Sequence, residues 1–171
     1  NFHRELYLEE YFNAVFTETD PTILNITYGI YQDKKFKNPE IIKKLVNSEN
    51  QNQKMFGVKI LSLNYDETFI PLLKELLQSK DLQLNFQALE IIKANDIKEF
   101  DSVIIEKLKS KTEKQIRMYL LFALLMLDSD TGNAYVKTIG ETNELYPDLL
   151  KAQRNKKLED SHPSKLGGKK R

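Results

Sequence analysis

The chain has 171 residues, enough for one domain with a substantial core, and its hydrophobic (40%) and charged (30%) fractions are close to globular averages. It has no Cys, which excludes disulfides, thiolate metal sites and a Cys nucleophile, and its two His residues, His3 and His162, lie near the chain ends. The net charge of +1 is unevenly divided: residues 151–171 carry eight basic and two acidic side chains, which leaves a net of −5 for residues 1–150. We therefore predict a mildly acidic body with a basic end, and neither a metal site nor a catalytic residue.

Capping side chains and polar breaks outline the first helices. A capping residue lies directly before a helical run at Asp20–Pro21, Asn38–Pro39 and Asp66–Glu67. Short polar breaks then separate the helices at Asn47–Asn50, Ser79–Asp81 and Ser110–Thr112. Apolar residues between the breaks recur at spacings of three and four, with almost no alternation. The pattern predicts antiparallel pairs of helices and no strands.

The helix predicted over Glu113–Leu127 is apolar on every side, because its last ten residues are all apolar. Each large side chain left in water would forgo about 1.5 to 3 kcal/mol of burial free energy. We expect the last hairpin, Asn133–Arg154, to cover this helix, with Pro147 opening or kinking the second helix of that hairpin. A homodimer or a seam with another partner is the alternative.

No membrane-crossing segment is predicted. The longest apolar run, Met118–Leu127, has ten residues, whereas a transmembrane helix needs about 20. No positively charged and then apolar signal segment opens the sequence. Together with the absence of Cys this favours a cytoplasmic location, although the start at Asn1 leaves an upstream anchor or signal open.

One 31-residue spacing recurs along most of the chain. It separates Ser48 from Ser79 and Ser79 from Ser110. The same step superposes Ile42, Leu73 and Ile104; Val46, Leu77 and Leu108; Val58, Leu89 and Leu120; and Ile60, Ile91 and Phe122. About five units fill residues 1–155, and each holds two helices, so the sequence predicts ten helices in five hairpins. Residues 156–171 are left as a basic, disordered tail.

A 31-residue repeat of helix, tight turn and helix, with a second helix such as Phe86–Ile92, resembles the HEAT repeat, in particular the short HEAT-like form of phycobilin lyase subunits. The resemblance covers nearly the whole chain. Asp81 with Asn85, and Thr112 with Arg117, loosely match the Asp and basic residues that tie neighbouring units in that family. Tetratricopeptide units are the rival, but they are longer, at about 34 residues, and have a Trp-Leu-Gly-Tyr arrangement that is absent here. The resemblance implies an α-solenoid that acts as a scaffold through a concave surface lined by its second helices.

Translating the outward side of the second helices by the 31-residue step gives two ladders on the predicted concave face. One ladder contains Asn25, Phe56, Gln87 and Met118, and the other contains Tyr28, Lys59, Glu90 and Leu121. We expect the apolar members to anchor a bound peptide or helix and the polar members to orient it. Two plainer interpretations stay open: the polar members are solvated or pair with one another, and the apolar members are covered by neighbouring helices.

The basic residues of the tail offer a second kind of site, because cations near a chain end can bind nucleic acid or an anionic surface. They are Lys165, Lys169, Lys170 and Arg171. Our leading interpretation is a non-catalytic adaptor that binds another protein or peptide and needs no cofactor. A nucleic-acid- or anionic-surface-associated module that uses the tail is the alternative, and a lyase-like or glycosylase-like enzyme is a more distant one. The acidic body and the absence of Trp oppose a nucleic-acid-binding groove.

Overall fold

The computed structural model describes residues 14–32, 38–110 and 113–161, with residues 30–32 described by their backbone. Within these ranges the chain forms helices and turns and no β-strand, so the prediction of an all-α fold is confirmed. The helices are α1 (Pro21–Gln32), α2 (Pro39–Val46), α3 (Gln51–Leu63), α4 (Ile70–Gln78), α5 (Leu82–Ala94), α6 (Asp101–Lys109), α7 (Lys114–Leu127), α8 (Asp130–Lys137) and α9 (Tyr146–Ser161). A helical turn at residues 14–17 precedes α1, and the short 3-10 helices Glu67–Phe69 and Lys98–Phe100 lead into α4 and α6.

The predicted helix starts are confirmed at three capping residues. The Asp20 carboxylate accepts the Thr22 N–H at 2.7 Å and so caps α1. Asn38 Oδ1 accepts two backbone N–H groups of α2. Asp66 accepts the Thr68 N–H at 2.9 Å at the start of the 3-10 helix before α4. Each cap satisfies backbone donors that the first turn of a helix leaves without partners.

The turns that open α3 and α5 contain the same hydrogen bonds, one 31-residue step apart. Ser48 Oγ accepts the Asn50 N–H at 3.1 Å, and Ser79 Oγ accepts the Asp81 N–H at 3.1 Å. Asn50 and Asp81 then cap the two helices with their side chains. The spacing found in the sequence is therefore also a repeat of local structure at these two turns.

The same two helices also end alike. Asn64 Nδ2 donates to the carbonyl of Ile60 at 3.0 Å, and Asn95 Nδ2 donates to the carbonyl of Ile91 at 2.8 Å. Both asparagines are the residue directly after the helix, and each side chain donates to a carbonyl that also accepts the backbone N–H of the same asparagine. The 31-residue step thus relates both ends of α3 to both ends of α5.

Two compact units divide the chain, residues 1–72 and residues 73–171. The division falls inside α4, and the sequence spacing does not indicate this division because the 31-residue pattern continues across it.

In the first unit, α3 packs against both α1 and α2. A Cβ added at Gly57 would lie 2.7 Å from Leu45 Cβ and 2.7 Å from the Val46 nitrogen. The close approach of α2 and α3 therefore requires a residue without a side chain at position 57.

In the second unit, α7 contacts α5, α6, α8 and α9. Seven of its side chains are buried: Ile116, Leu120, Leu121, Ala123, Leu124, Leu125 and Leu127. The prediction that the last hairpin covers this apolar helix is confirmed, because both α8 and α9 pack on it. Pro147 is the second residue of α9 and opens that helix, as predicted.

The last helix extends further than the sequence predicted. It continues to Ser161, so residues 156–161 are helical, and the predicted disorder from residue 156 is wrong for them. Lys156 Nζ donates to the carbonyl oxygen of Leu125 at 2.5 Å, in the last turn of α7. Carbonyls in the last turn of a helix lack partners within that helix and favour a cation. This bond holds α9 on α7 past the boundary that composition suggests.

Candidate protein-binding face

The helices α1, α3, α5, α7 and α9 are the second helices of the predicted hairpins, and each carries an exposed stripe. Counted from the first residue of each helix, the fifth residue is exposed or half-buried in every one, and so is the ninth. The fifth residues are Asn25, Met55, Phe86, Met118 and Leu150, and the ninth residues are Gly29, Lys59, Glu90, Phe122 and Arg154. Fifth and ninth residues lie one turn apart on the same side of a helix. We call these positions the outer stripe.

Three of the predicted face residues meet in the first unit. Lys59 Nζ donates to Asn25 Oδ1 at 2.9 Å and lies 5.7 Å from the centre of the Tyr28 ring. The ammonium group therefore joins α1 and α3 through a hydrogen bond and a cation–π contact. Asn25 and Lys59 form a polar part of the outer stripe, Tyr28 lies beside it, and the contacts among the three depend on Lys59.

Gln87, Glu90 and Met118 lie on the surface of the second unit, as expected for face residues. Glu90 pairs with Lys93 at 2.5 Å, within α5, so its charge partner belongs to its own helix. Asn155 Nδ2 donates to Met118 Sδ at 3.4 Å, which links α7 to α9. The three predicted residues are therefore accessible, and two of them are oriented by a named neighbour.

Phe56 and Leu121, by contrast, lie in the core. Phe56 is 3% exposed and Leu121 is 0% exposed, so neither side chain is available to anchor a partner. The plainer interpretation, that neighbouring helices cover these two residues, is the one that the structure bears out. The two predicted anchors are lost from the face because burial of a large apolar side chain is strongly favourable.

The error comes from the fixed 31-residue step. The second helices begin at Pro21, Gln51, Leu82, Lys114 and Tyr146. The first interval between these starts is one position shorter than the 31-residue step, and the last two intervals are each one position longer. A uniform step therefore slips by one helix position near both ends of the chain. Counted from the helix starts, the counterpart of Asn25 is Met55, and the counterpart of Glu90 is Phe122.

Counting from the helix starts also finds residues that the ladders missed. The rings of Phe86 and Tyr119 lie 4.6 Å apart, centre to centre, and are tilted by 55°. Lys93 Nζ lies 4.5 Å from the centre of the Phe122 ring. With Met118, these side chains cover the outward sides of α5 and α7. We call Phe86, Met118, Tyr119 and Phe122 the aromatic patch.

Two cations beside the aromatic patch are paired. Lys93 contacts both Glu90 and the Phe122 ring, and Arg117 Nη1 pairs with Glu144 Oε2 at 3.2 Å. The Tyr119 side chain of the patch is 41% exposed to solvent. The aromatic patch therefore presents apolar and aromatic surface, and the charges of Lys93 and Arg117 beside it are paired. Recognition there would depend on shape and apolar area more than on net charge.

Two adjoining clefts lie beside the turns before α5 and α7. Their volumes are about 220 and 190 Å³, and Gln78, Lys107 and Ser110 line both. Burial lowers the pKa of Lys107, and the nearby Glu113 carboxylate opposes that shift. Each cleft is smaller than the roughly 300 to 1,000 Å³ of typical small-molecule sites. We therefore assign them no ligand.

The part of the chain that the structure describes holds neither a metal-binding cluster nor a membrane-spanning helix. Across residues 14–32, 38–110 and 113–161, no group of three or more Asp or Glu side chains is arranged to hold a metal ion. Among the helices of these ranges, none is long and apolar enough to cross a membrane. The basic residues Lys165, Lys169, Lys170 and Arg171 lie outside the described residues. No protein family, curated protein or solved structure matches the chain.

Proposed function

We propose that this chain is a non-catalytic scaffold that binds a segment of another protein on the outer stripe of its second helices. The aromatic patch carries the proposal, because it combines three aromatic rings and a methionine on the accessible side of two adjacent helices. Side chains of these types are enriched at protein interfaces, and a few of them usually dominate the binding free energy. The proposed architecture is an α-solenoid of about five HEAT-like repeats.

Repetition of local structure supports the solenoid. The helices α3 and α5 share the hydrogen bonds of their opening turns and of their final turns at the 31-residue spacing. Second helices also pack on second helices, α1 on α3, α5 on α7 and α7 on α9. Hairpins that stack only on their neighbours leave one long face of second helices free for a ligand.

The spacing of side chains along α7 favours a helical ligand. Met118, Phe122 and Met126 follow one another at every fourth position and are half-buried, so they span about 12 Å at about 1.5 Å per residue. Phe86 and Tyr119 widen this row on the side of α5. An amphipathic helix with apolar residues at i, i+4 and i+7 would place three anchors over such a row. Methionine side chains adapt their shape to different apolar partners.

A photo-crosslinking residue in place of Tyr119 would capture the bound segment in cells, and mass spectrometry would identify it. The synthetic segment can then be titrated against the purified chain. We expect Tyr119→Lys to weaken binding by about 30-fold, because a central aromatic anchor contributes about 2 kcal/mol or more. Leu158→Lys, at a comparably exposed leucine of α9, is the matched control and should leave the affinity unchanged.

The alternative function predicts the opposite pattern. A ligand that keeps its affinity in Tyr119→Lys and Phe122→Ala, but loses it when Lys169, Lys170 and Arg171 are removed, would bind the tail. Such a ligand would be a nucleic acid or an anionic surface, and its affinity would fall steeply from low to moderate salt because binding releases counterions. That outcome would refute the scaffold function.

A further inference from the structure

A lysine lies one turn before the apolar row of α7, which is formed by Met118, Phe122 and Met126. Lys114 is the first residue of α7, four positions before Met118, and it is exposed. Residues four positions apart lie on the same side of a helix, about 6 Å apart along its axis. The apolar row therefore begins beside a cationic side chain at the start of α7.

An arginine of the neighbouring helix lies near the same end of the apolar row. Asn155 Nδ2 donates to Met118 Sδ at 3.4 Å, so α9 adjoins α7 at the first residue of the row. Arg154, directly before Asn155, is exposed and belongs to the outer stripe. Met118 thus has one cation a turn away on its own helix and a second on the helix that packs against it.

Lys114 and Arg154 differ from most other cations of α5, α7 and α9, which are engaged in contacts. The engaged cations are Lys93 with Glu90, Arg117 with Glu144, Lys151 with Asp148, and Lys156 with the carbonyl of Leu125. Within the part of the chain that the structure describes, Lys114 and Arg154 make neither a hydrogen bond nor an ion pair. Their charges are therefore available to a ligand.

Acidic side chains close to the start of α7 leave this charge largely in place. The helix α7 itself contains neither Asp nor Glu. Glu113, directly before Lys114, also lies near Lys107, whose pKa is lowered by burial and raised by the Glu113 carboxylate. Glu113 therefore interacts with a second cation, and Lys114 does not have this carboxylate to itself.

We propose that the segment bound on the aromatic patch carries an acidic residue one turn beyond its apolar anchors, and that Lys114 and Arg154 select this residue. The inference rests on the proposed scaffold function and adds the chemistry of its partner. Apolar and aromatic contacts supply most of the affinity, because a few such anchors usually dominate binding. Cations at one end of the row act on specificity and on the association rate, since they attract an acidic segment and repel a basic one.

An acidic protein segment fits this end of the row better than a nucleic acid or an anionic membrane. Residues 1–150 have a net negative charge, which opposes the approach of a polyanion. Nucleic acids and anionic surfaces gain affinity from many phosphate contacts, whereas only two cations adjoin Met118 here. A helix with apolar anchors and one acidic residue uses both the cations and the apolar row.

Fluorescence anisotropy with two labelled helical peptides tests the selection. Both peptides have leucines at i, i+4 and i+7, and they differ only at i−4 and i+11, which are Glu in one peptide and Lys in the other. Charged residues on both sides of the leucines cover either direction of binding. We expect the wild-type chain to bind the Glu peptide about 10-fold more tightly than the Lys peptide. Added salt should reduce this preference, because it screens exposed charges.

The Lys114→Glu variant should abolish or reverse the preference, and Arg154→Glu should reduce it. A carboxylate is favourable in the first turn of a helix, so Lys114→Glu should keep its fold, which circular dichroism would verify. Lys74→Glu is the matched control. Lys74 is exposed on α4 in the same unit, and its replacement changes the net charge equally but should leave the preference unchanged. Phe122→Ala should weaken both peptides by a similar factor, because it removes an apolar anchor.

Equal affinity of the wild-type chain for the two peptides would overturn the inference. So would a preference that survives in both Lys114→Glu and Arg154→Glu, or a failure of both peptides to bind. Binding to phosphatidylcholine–phosphatidylserine vesicles that Lys114→Glu abolishes, without a preference for the Glu peptide, would show that these cations bind an anionic surface instead. The scaffold function is tested separately, since it fails only when crosslinking at Tyr119 captures no segment or when Tyr119→Lys leaves the binding of the captured segment unchanged.

Discussion

Replacing Gly57 by Ala tests how closely α2 and α3 must approach each other. The added Cβ would lie 2.7 Å from Leu45 Cβ, 2.7 Å from the Val46 nitrogen and 2.9 Å from the Leu45 carbonyl carbon. Ordinary contacts of a Cβ begin at 3.4 Å, so the two helices would have to separate by a large part of an ångström. Two of the three atoms belong to the backbone, and no side-chain rotation relieves the overlap.

Two effects of opposite sign decide the result. Overpacking of a close contact costs about 1 to 3 kcal/mol, and the backbone overlap places Gly57→Ala toward the upper end of that range. Ala favours a helix over Gly by about 1 kcal/mol, which offsets part of the loss. We therefore expect the free energy of unfolding to fall by about 1 to 2 kcal/mol.

Gly29→Ala separates the two effects. No atom lies within 4 Å of a Cβ at Gly29, so only helix propensity changes there, and we expect a gain of about 0.5 to 1 kcal/mol. Urea titrations followed by circular dichroism would compare the variants at one low protein concentration. A Gly57→Ala protein as stable as the wild type would refute the close-packing argument. A loss of stability in Gly29→Ala would show that helix propensity does not dominate at exposed positions of α1.

Ser129→Ala should lower the free energy of unfolding by about 2 to 4 kcal/mol, because the Ser129 hydroxyl both caps α8 and donates to the buried Asp101 carboxylate, whose other oxygen has no hydrogen bond. Adding Asp101→Asn should recover part of that loss in denaturant titrations, since Asn carries no charge to bury, and the absence of any recovery would assign the loss to the cap alone. Asn133→Ala should raise the pKa of Asp128, which is lowered first by the hydrogen bond from Asn133 and then by the charges of Lys156 and Lys98. A carboxyl whose pKa is lower in the folded state than in the unfolded state stabilises the protein at pH values above the unfolded-state pKa, and this stabilisation is lost as the pH falls through the folded-state pKa. The loss of unfolding free energy in Asn133→Ala should therefore be largest near neutral pH and shrink below about pH 4. Carboxyl NMR titration and acid-unfolding curves measure the two effects, and a deficit that does not change with pH would contradict the assignment.

Helix starts were predictable because capping is a local property. Asp20 and Asn38 each precede a Pro, and each side chain binds the backbone of the turn that follows it. The recurrence of Ser48 and Ser79 was predictable for the same reason, since each shapes the turn in which it lies. Features that depend on the next two or three residues are therefore recoverable from spacing.

The exposed face was less predictable, because the side of a helix on which a residue lies depends on where that helix begins. One residue of slip rotates a side chain by about 100° around the helix axis. The first helices α4 and α6 begin one 31-residue step apart, but the start of α7 follows the start of α5 by one position more, so the extra residue lies in the turn before α7. Hydrophobic periodicity within helices does not report the length of a turn. The ladder therefore named the buried Leu121 in place of Phe122.

The hydrogen bonds of polar side chains that join distant elements could not be predicted from the sequence. Gln53 binds a carbonyl 37 residues earlier in the chain, and Asp101 binds a hydroxyl 28 residues later. Both are buried, so in an apolar pattern they appear only as interruptions of the core face. Their hydrogen-bond partners are determined by how the hairpins pack on one another, and the spacing of residues within one hairpin gives no information about that packing.

The cover that α9 provides for α7 also sets an order of events during translation. Synthesis completes α7 at Leu127 and completes α9 only at Ser161, slightly more than one repeat later. At about 5 to 20 residues per second, the apolar helix α7 therefore stays without its last cover for roughly 2 to 7 s. Chaperone binding and intermolecular association compete with folding during that interval. The speed of the ribosome over this stretch consequently influences what fraction of nascent chains reaches the folded state.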